Sequence, residues 1–142
     1  MTEKPQRIFT LEQANATLPL VRRITDDLVT LHPRWRDAVT AYELAQDGAQ
    51  AGAESDHARD ARVTAGRLAG EIESCLDELG QIGCIFKGFE SGLVDFAANY
   101  EGRVVHLCWR QGEEVISYWH EVVDGFDGRQ PLDESFASAA AS

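Results

Sequence analysis

The run RVVHLCWR at 103–110 constrains this chain more than any other stretch. Side chains alternate across a strand, so Val105, Leu107 and Trp109 share one face and His106, Cys108 and Arg110 the other. A strand of that kind needs a layer over its apolar face and neighbours along both edges. The flanking sequence offers the neighbours. LVDFA (93–97) precedes it across NYEG, and VISYWHEV (115–122) follows across QGEE, both joins carrying hairpin-type residues. CIFK (84–87) reads as a short edge strand. Residues 84–122 are therefore expected to form a three- to four-stranded antiparallel meander. An ordered loop at 123–134 follows, and then a frayed tail at 135–142.

Within the meander, Val94 and Phe96 join the apolar face, which sends Asp95 to the polar one. Pairing Phe96 with Val105 sets Asp95 opposite His106. Val115 and Trp119 suit the apolar face of the third strand, leaving Ile116, Tyr118 and His120 on the polar face. The expected row is Asp95, His106 and Tyr118, with His120 diagonal to His106.

The covering layer comes from residues 10–82, which read as a long antiparallel helical hairpin. Thr10 and Gln13 have capping-box spacing, and Pro19 fits the first turn of a new helix. Apolar residues then recur at Val21, Ile24, Leu28, Leu31, Trp35, Ala38, Tyr42 and Ala45 in steps of three and four. The phase holds across Pro33, which predicts a helix over 20–46 kinked at that proline, with a break there as the alternative. After a small-residue linker at 47–55, a second seam runs Ala61, Ala65, Leu68, Ile72, Cys75, Leu79, Ile82, with Ser55 or Asp56 as cap. Gly66 and Gly70 are expected to let the helices approach closely, and Gly80 and Gly83 to end the second helix. The fold class is α+β, and residues 1–142 suit a single domain.

Charge excludes one class of partner. A net charge of -11 disfavours a phosphate backbone, and no Lys/Arg cluster exceeds Arg22-Arg23. No run reaches the roughly 20 apolar residues of a membrane span, and no signal-peptide pattern opens the chain. Three cysteines, Cys75, Cys84 and Cys108, then read as reduced thiols of a cytoplasmic protein.

The polar face carries the chemistry. The expected arrangement is a carboxylate–histidine–tyrosine hydrogen-bond row under the helices. The alternatives are a divalent zinc or iron site on Asp95, His106 and His120, and a small-ligand or partner pocket using the same residues. A Cys108–His120 nucleophile pair is disfavoured, because the strand register holds the two apart, so Cys108 reads as a buried structural thiol. Glu121 marks the end of its strand and is expected to meet Arg110 or Arg129 in a salt bridge. The candidate site thus comprises Asp95, His106, Cys108, Arg110, Tyr118, His120, Glu121 and Arg129.

The opening FTLEQANATLPLVRRI, GLVDF at 92–96, LCWRQGE at 107–113, YWHEV at 118–122 and GFDGRQPL at 125–132 resemble a bacterial family known as domain of unknown function 2203. The resemblance implies a small cytoplasmic protein and supplies no mechanism. Asp95, Cys108, Trp109, Trp119, His120, Glu121 and Arg129 match the family pattern. Two positions depart from it: the family commonly has proline where Ala97 stands and often tyrosine where His106 stands. The second departure counts against His106 as a metal ligand.

The leading functional expectation is a non-catalytic interaction or ligand-binding protein without a cofactor. It is expected to be a homodimer, because two alanine-rich seams bury little surface alone, and to meet a protein or small-molecule partner but neither nucleic acid nor membrane. The rival is a metal-dependent or acid–base enzyme centred on Asp95, His120 and Glu121. No phosphate-binding glycine loop, CxxC, GxSxG or HExxH is present, which leans against the familiar enzyme classes.

Overall fold

The computed structural model describes residues 6–47, 52–134 and 136. Helix α1 spans Leu11–Asp47 and α2 spans Asp56–Ile82, packed together as a hairpin. Residues 48–51 of the expected linker lie outside the described residues. An antiparallel sheet follows in the order β1 (Ile85–Gly88), β2 (Leu93–Tyr100), β3 (Arg103–Arg110), β4 (Tyr118–Glu121) and β5 (Gln130–Pro131). The fold is α+β, with five strands where three or four were expected. The fifth is a two-residue pairing of Gln130 and Pro131 with Trp119 and Tyr118, inside the segment read as a loop.

Local chemistry accounts for the helix ends. The Thr10 hydroxyl accepts from the Gln13 N–H and the Gln13 side chain accepts from the Thr10 N–H, each at 3.0 Å, a reciprocal capping box. Ser55, not Asp56, caps α2 by accepting from the Ala58 N–H at 3.0 Å. Gly83 ends α2 with φ 103°, its N–H reaching the Leu79 carbonyl. The new helix start expected at Pro19 does not occur. One helix of 37 residues, about 55 Å long, passes through both Pro19 and Pro33. Buried Leu18, Val21, Ile24 and Leu28 hold the two sides of Pro19 to one core, so packing overrides the missing backbone donor.

That core lies between the helices and one face of the sheet. Leu18, Val21, Ile24 and Leu28 of α1, with Ile72 and Leu79 of α2, join Val94, Phe96, Val105, Leu107, Trp109 and Trp119 in one buried cluster. Phe9 seals its edge, meeting Phe96 edge-on at 5.2 Å and donating its N–H to the Ala97 carbonyl. Ile116 was expected on the polar face, but β4 starts only at Tyr118. The Ile116 N–H is taken by the Asn15 side chain and its side chain enters the core. Val115, expected on the apolar face, is exposed. Phe136, in the tail expected to fray, is buried against Tyr100 (4.8 Å) and Trp119 (5.6 Å); the tail's other residues lie outside the described ones.

The two helix glycines do not sit where the helices meet. A Cβ added at Gly66 or Gly70 would touch nothing within 4 Å. The backbone there carries the entropic cost of glycine without a packing return. Gly66→Ala and Gly70→Ala are each expected to stabilise the protein by about 0.5–1 kcal/mol, measured as a rise in urea midpoint at constant slope. A loss of stability in either would show that something covers this face.

Candidate functional site: a buried carboxylate between two imidazoles

The other face of the sheet holds the chemistry, and a turn sets its geometry. Glu101 and Gly102 take φ 49° and 78°, so they form the two-residue hairpin link between β2 and β3 and pair Tyr100 with Arg103. Counting back, Asp95 stands opposite Cys108 and Ala97 opposite His106, while β4 places Tyr118 opposite Cys108 and His120 opposite His106. Two cross-strand rows result: Asp95–Cys108–Tyr118 and Ala97–His106–His120. The expected row Asp95–His106–Tyr118 does not form. The true register differs from the expected one by two residues, which keeps every side chain on its face while exchanging its partners.

Asp95, His106 and His120 meet on the diagonal between the rows. One Asp95 carboxylate oxygen lies 3.1 Å from His120 Nε2 and 3.4 Å from His106 Nδ1. The two rings cross at 83°. All three potential ligand atoms lie within 4.8 Å of one another. The side chains are 2 %, 7 % and 2 % exposed, so a substrate cannot touch them without the sheet face opening.

The hydrogen-bond roles are decided by one contact. His120 Nδ1 lies 2.7 Å from the Glu121 backbone carbonyl. A carbonyl can only accept, so Nδ1 carries the hydrogen. In the neutral ring Nε2 then presents a lone pair to the Asp95 carboxylate, and two acceptors face each other at 3.1 Å. The contact requires either a second proton on His120 or a cation between the two groups. His106 Nδ1 lacks even this bond: it is buried, close to the carboxylate, and without a hydrogen-bond partner. Burial works to raise the Asp95 carboxyl, but His106 and then His120 oppose it more strongly, leaving it below its ordinary value. The carboxylate is therefore charged at neutral pH.

The remaining candidate residues separate into neighbours and bystanders. Cys108 is buried, and burial followed by the nearby Asp95 charge raises its thiol to about 11 against an opposing pull from Arg129. Arg129 lies 4.0 Å over the Tyr118 ring and 4.8 Å over Phe126, pairs with Glu113, and reaches the Cys108 carbonyl. Its Nε has no partner among the described residues. Arg110 is exposed at the far end of β3, opposite Leu93. The Glu121 carboxylate meets Arg103 at 2.6 and 2.8 Å, not Arg110 or Arg129, because antiparallel pairing places it at the Arg103 end of β3. The trio Asp95, His120 and Glu121 is thus not assembled through side chains; Glu121 acts on His120 through its backbone carbonyl alone.

Two contributors escaped the sequence reading. The Glu121 carbonyl carries no side-chain signal. Glu113 holds Arg129, accepts from the Arg110 N–H at 2.7 Å and lends its carbonyl to the Trp109 indole N–H at 2.9 Å. Its place in the QGEE turn, three residues after β3 ends, was the available clue.

No curated protein and no solved structure matches the chain. No helix among the described residues is long and apolar enough to cross a membrane. A family profile does match, over residues 7–132, and the chain belongs to that family, the uncharacterised conserved proteins designated DUF2203.

Proposed function

We propose that this protein is a non-catalytic ligand-binding protein whose ligand is a divalent transition-metal ion held by Asp95, His106 and His120. The observation that carries this reading is the placement of His120 Nε2, held 3.1 Å from the Asp95 carboxylate by the bond its Nδ1 makes to the Glu121 carbonyl. Metal-binding histidines are oriented in this way, the far nitrogen tied to a carbonyl so that the near one offers its lone pair. The spacing supports it. Zinc bonds of about 2.0–2.1 Å in a tetrahedron set neighbouring ligand atoms about 3.3–3.4 Å apart; two edges of the triangle, from the carboxylate oxygen to the imidazole nitrogens, measure 3.1 and 3.4 Å, and all three atoms lie within 4.8 Å of one another. Burial argues for a held ion over a reacting substrate, since a catalytic metal needs an open position that a substrate can reach.

Thermal unfolding of the metal-loaded protein tests the reading. At zinc concentrations a hundred times the dissociation constant, binding is worth about 2.7 kcal/mol, which is expected to raise the melting temperature by roughly 10 °C over the chelated protein. His120→Ala is expected to lose that increment and the bound zinc measured by elemental analysis. Superimposed curves for the unsubstituted protein with zinc and with chelator would sink the proposal and leave a protonated imidazole on Asp95.

A further inference from the structure

Three protein ligands leave a tetrahedral ion one short, and the same face of the sheet carries a candidate fourth donor. We infer that Cys108 completes the site as a thiolate, so that the protein selects a thiophilic ion, zinc above all, over manganese, magnesium or calcium. The inference rests on the metal reading above and names its selectivity.

The placement comes from the sheet. Cys108 is the cross-strand partner of Asp95 and lies two residues from His106 on the same face of β3, diagonal to His120. Its residue is 1 % exposed, so its sulfur is buried with the trio. Among the described residues, Asp95 and Arg129 are the charged groups that act on it. His106 Nδ1, two residues away on the same face, is buried, unpartnered and close to the same carboxylate, an unsatisfied ligand atom on the face that Cys108 shares. As placed, the sulfur lies outside the cluster of three ligand atoms, and rotation about the Cys108 Cα–Cβ bond is the movement that would bring it in.

On binding, the S–H bond breaks, the proton passes to solvent, and a sulfur lone pair forms the fourth bond to the ion. No electron changes hands. Four protein donors make a closed site of the structural type, in keeping with the burial, and a soft sulfur donor disfavours hard oxygen-seeking ions.

Cobalt(II) reads the sulfur directly. The full-length protein titrated with cobalt is expected to show tetrahedral d–d bands and a near-ultraviolet sulfur-to-cobalt charge-transfer band. Cys108→Ser should keep the d–d bands, lose the charge-transfer band, and bind zinc at least about tenfold more weakly. Its melting curve in chelator should match that of the unsubstituted protein, separating a lost ligand from a damaged fold. Cys75→Ser should keep the charge-transfer band, and does so even if Cys108→Ser fails to fold. Cobalt d–d bands without charge transfer in the unsubstituted protein would overturn the Cys108 assignment while leaving the three-ligand site standing. Failure to bind cobalt or zinc at all would remove both.

Discussion

Replacing Trp109 with alanine is expected to cost about 3–5 kcal/mol of stability, the range for deleting a large aromatic from a packed core. Trp109 is fully buried in the cluster that joins the sheet to both helices. Its cross-strand partner is Val94, and its indole N–H is given to the Glu113 carbonyl at 2.9 Å. Truncation therefore does two things. It leaves a cavity that the strand neighbours cannot fill without moving, and it deprives the QGEE turn of one of the bonds that tie it to β3. The second loss loosens Glu113, whose side chain holds Arg129 over Tyr118. Urea unfolding at constant slope measures the first effect. Trp109→Phe separates the two, keeping a ring in the core while removing the donor, and should cost about 1–3 kcal/mol. A loss below about 1 kcal/mol for the alanine variant would mean that the Trp109 face is not the one buried against the helices.

The same strand shows how much of the molecule was legible in its sequence. Alternation in RVVHLCWR assigned both faces, and His106 and Cys108 lie on the polar one with Asp95 and His120. Face membership depends only on parity, which the sequence prints directly. Register depends on where the turn sits, and NYEG admits two positions for it. Glu101 resolves the choice by adopting a positive φ that a glutamate rarely takes, and nothing in its side chain announces this. That ambiguity moved Asp95 from His106 to Cys108, while the separate β3–β4 register, set beyond the QGEE turn, brought His120 directly across from His106. The long helix was legible by its seam, but passage through Pro19 was not, because proline's local preference speaks against it and the compensating contacts are tertiary. β5 was hidden for a related reason: Gln130 and Pro131 have little strand propensity, and their pairing with β4 is imposed by the fold-back that brings Arg129 over Tyr118.

Asp95→Ala is expected to cost about 3–5 kcal/mol in chelator, the range for removing one partner from a buried ionic contact. The carboxylate is 2 % exposed and is the only group within reach of both His120 Nε2 and His106 Nδ1 among the described contacts. Removing it strands two buried nitrogens where one was already unpartnered. Asp95→Asn should be far milder, about 1 kcal/mol, because its amide keeps a hydrogen-bonding group of the same shape against the two imidazoles. Both variants should lose the zinc-induced rise in melting temperature, since an amide is a poor substitute for a carboxylate on the ion. Acid provides the internal check. The folded carboxyl titrates below its unfolded value of about 3.9. Its contribution is thus fully present above that pH and is lost as pH falls through the lower folded value. Stability measured in chelator from neutral pH downward should therefore show the unsubstituted protein converging on Asp95→Ala in acid, with the gap widest near neutrality. A gap that stays constant across that range, or an alanine variant within about 1 kcal/mol of the parent at neutral pH, would mean that the carboxylate does not hold the two imidazoles.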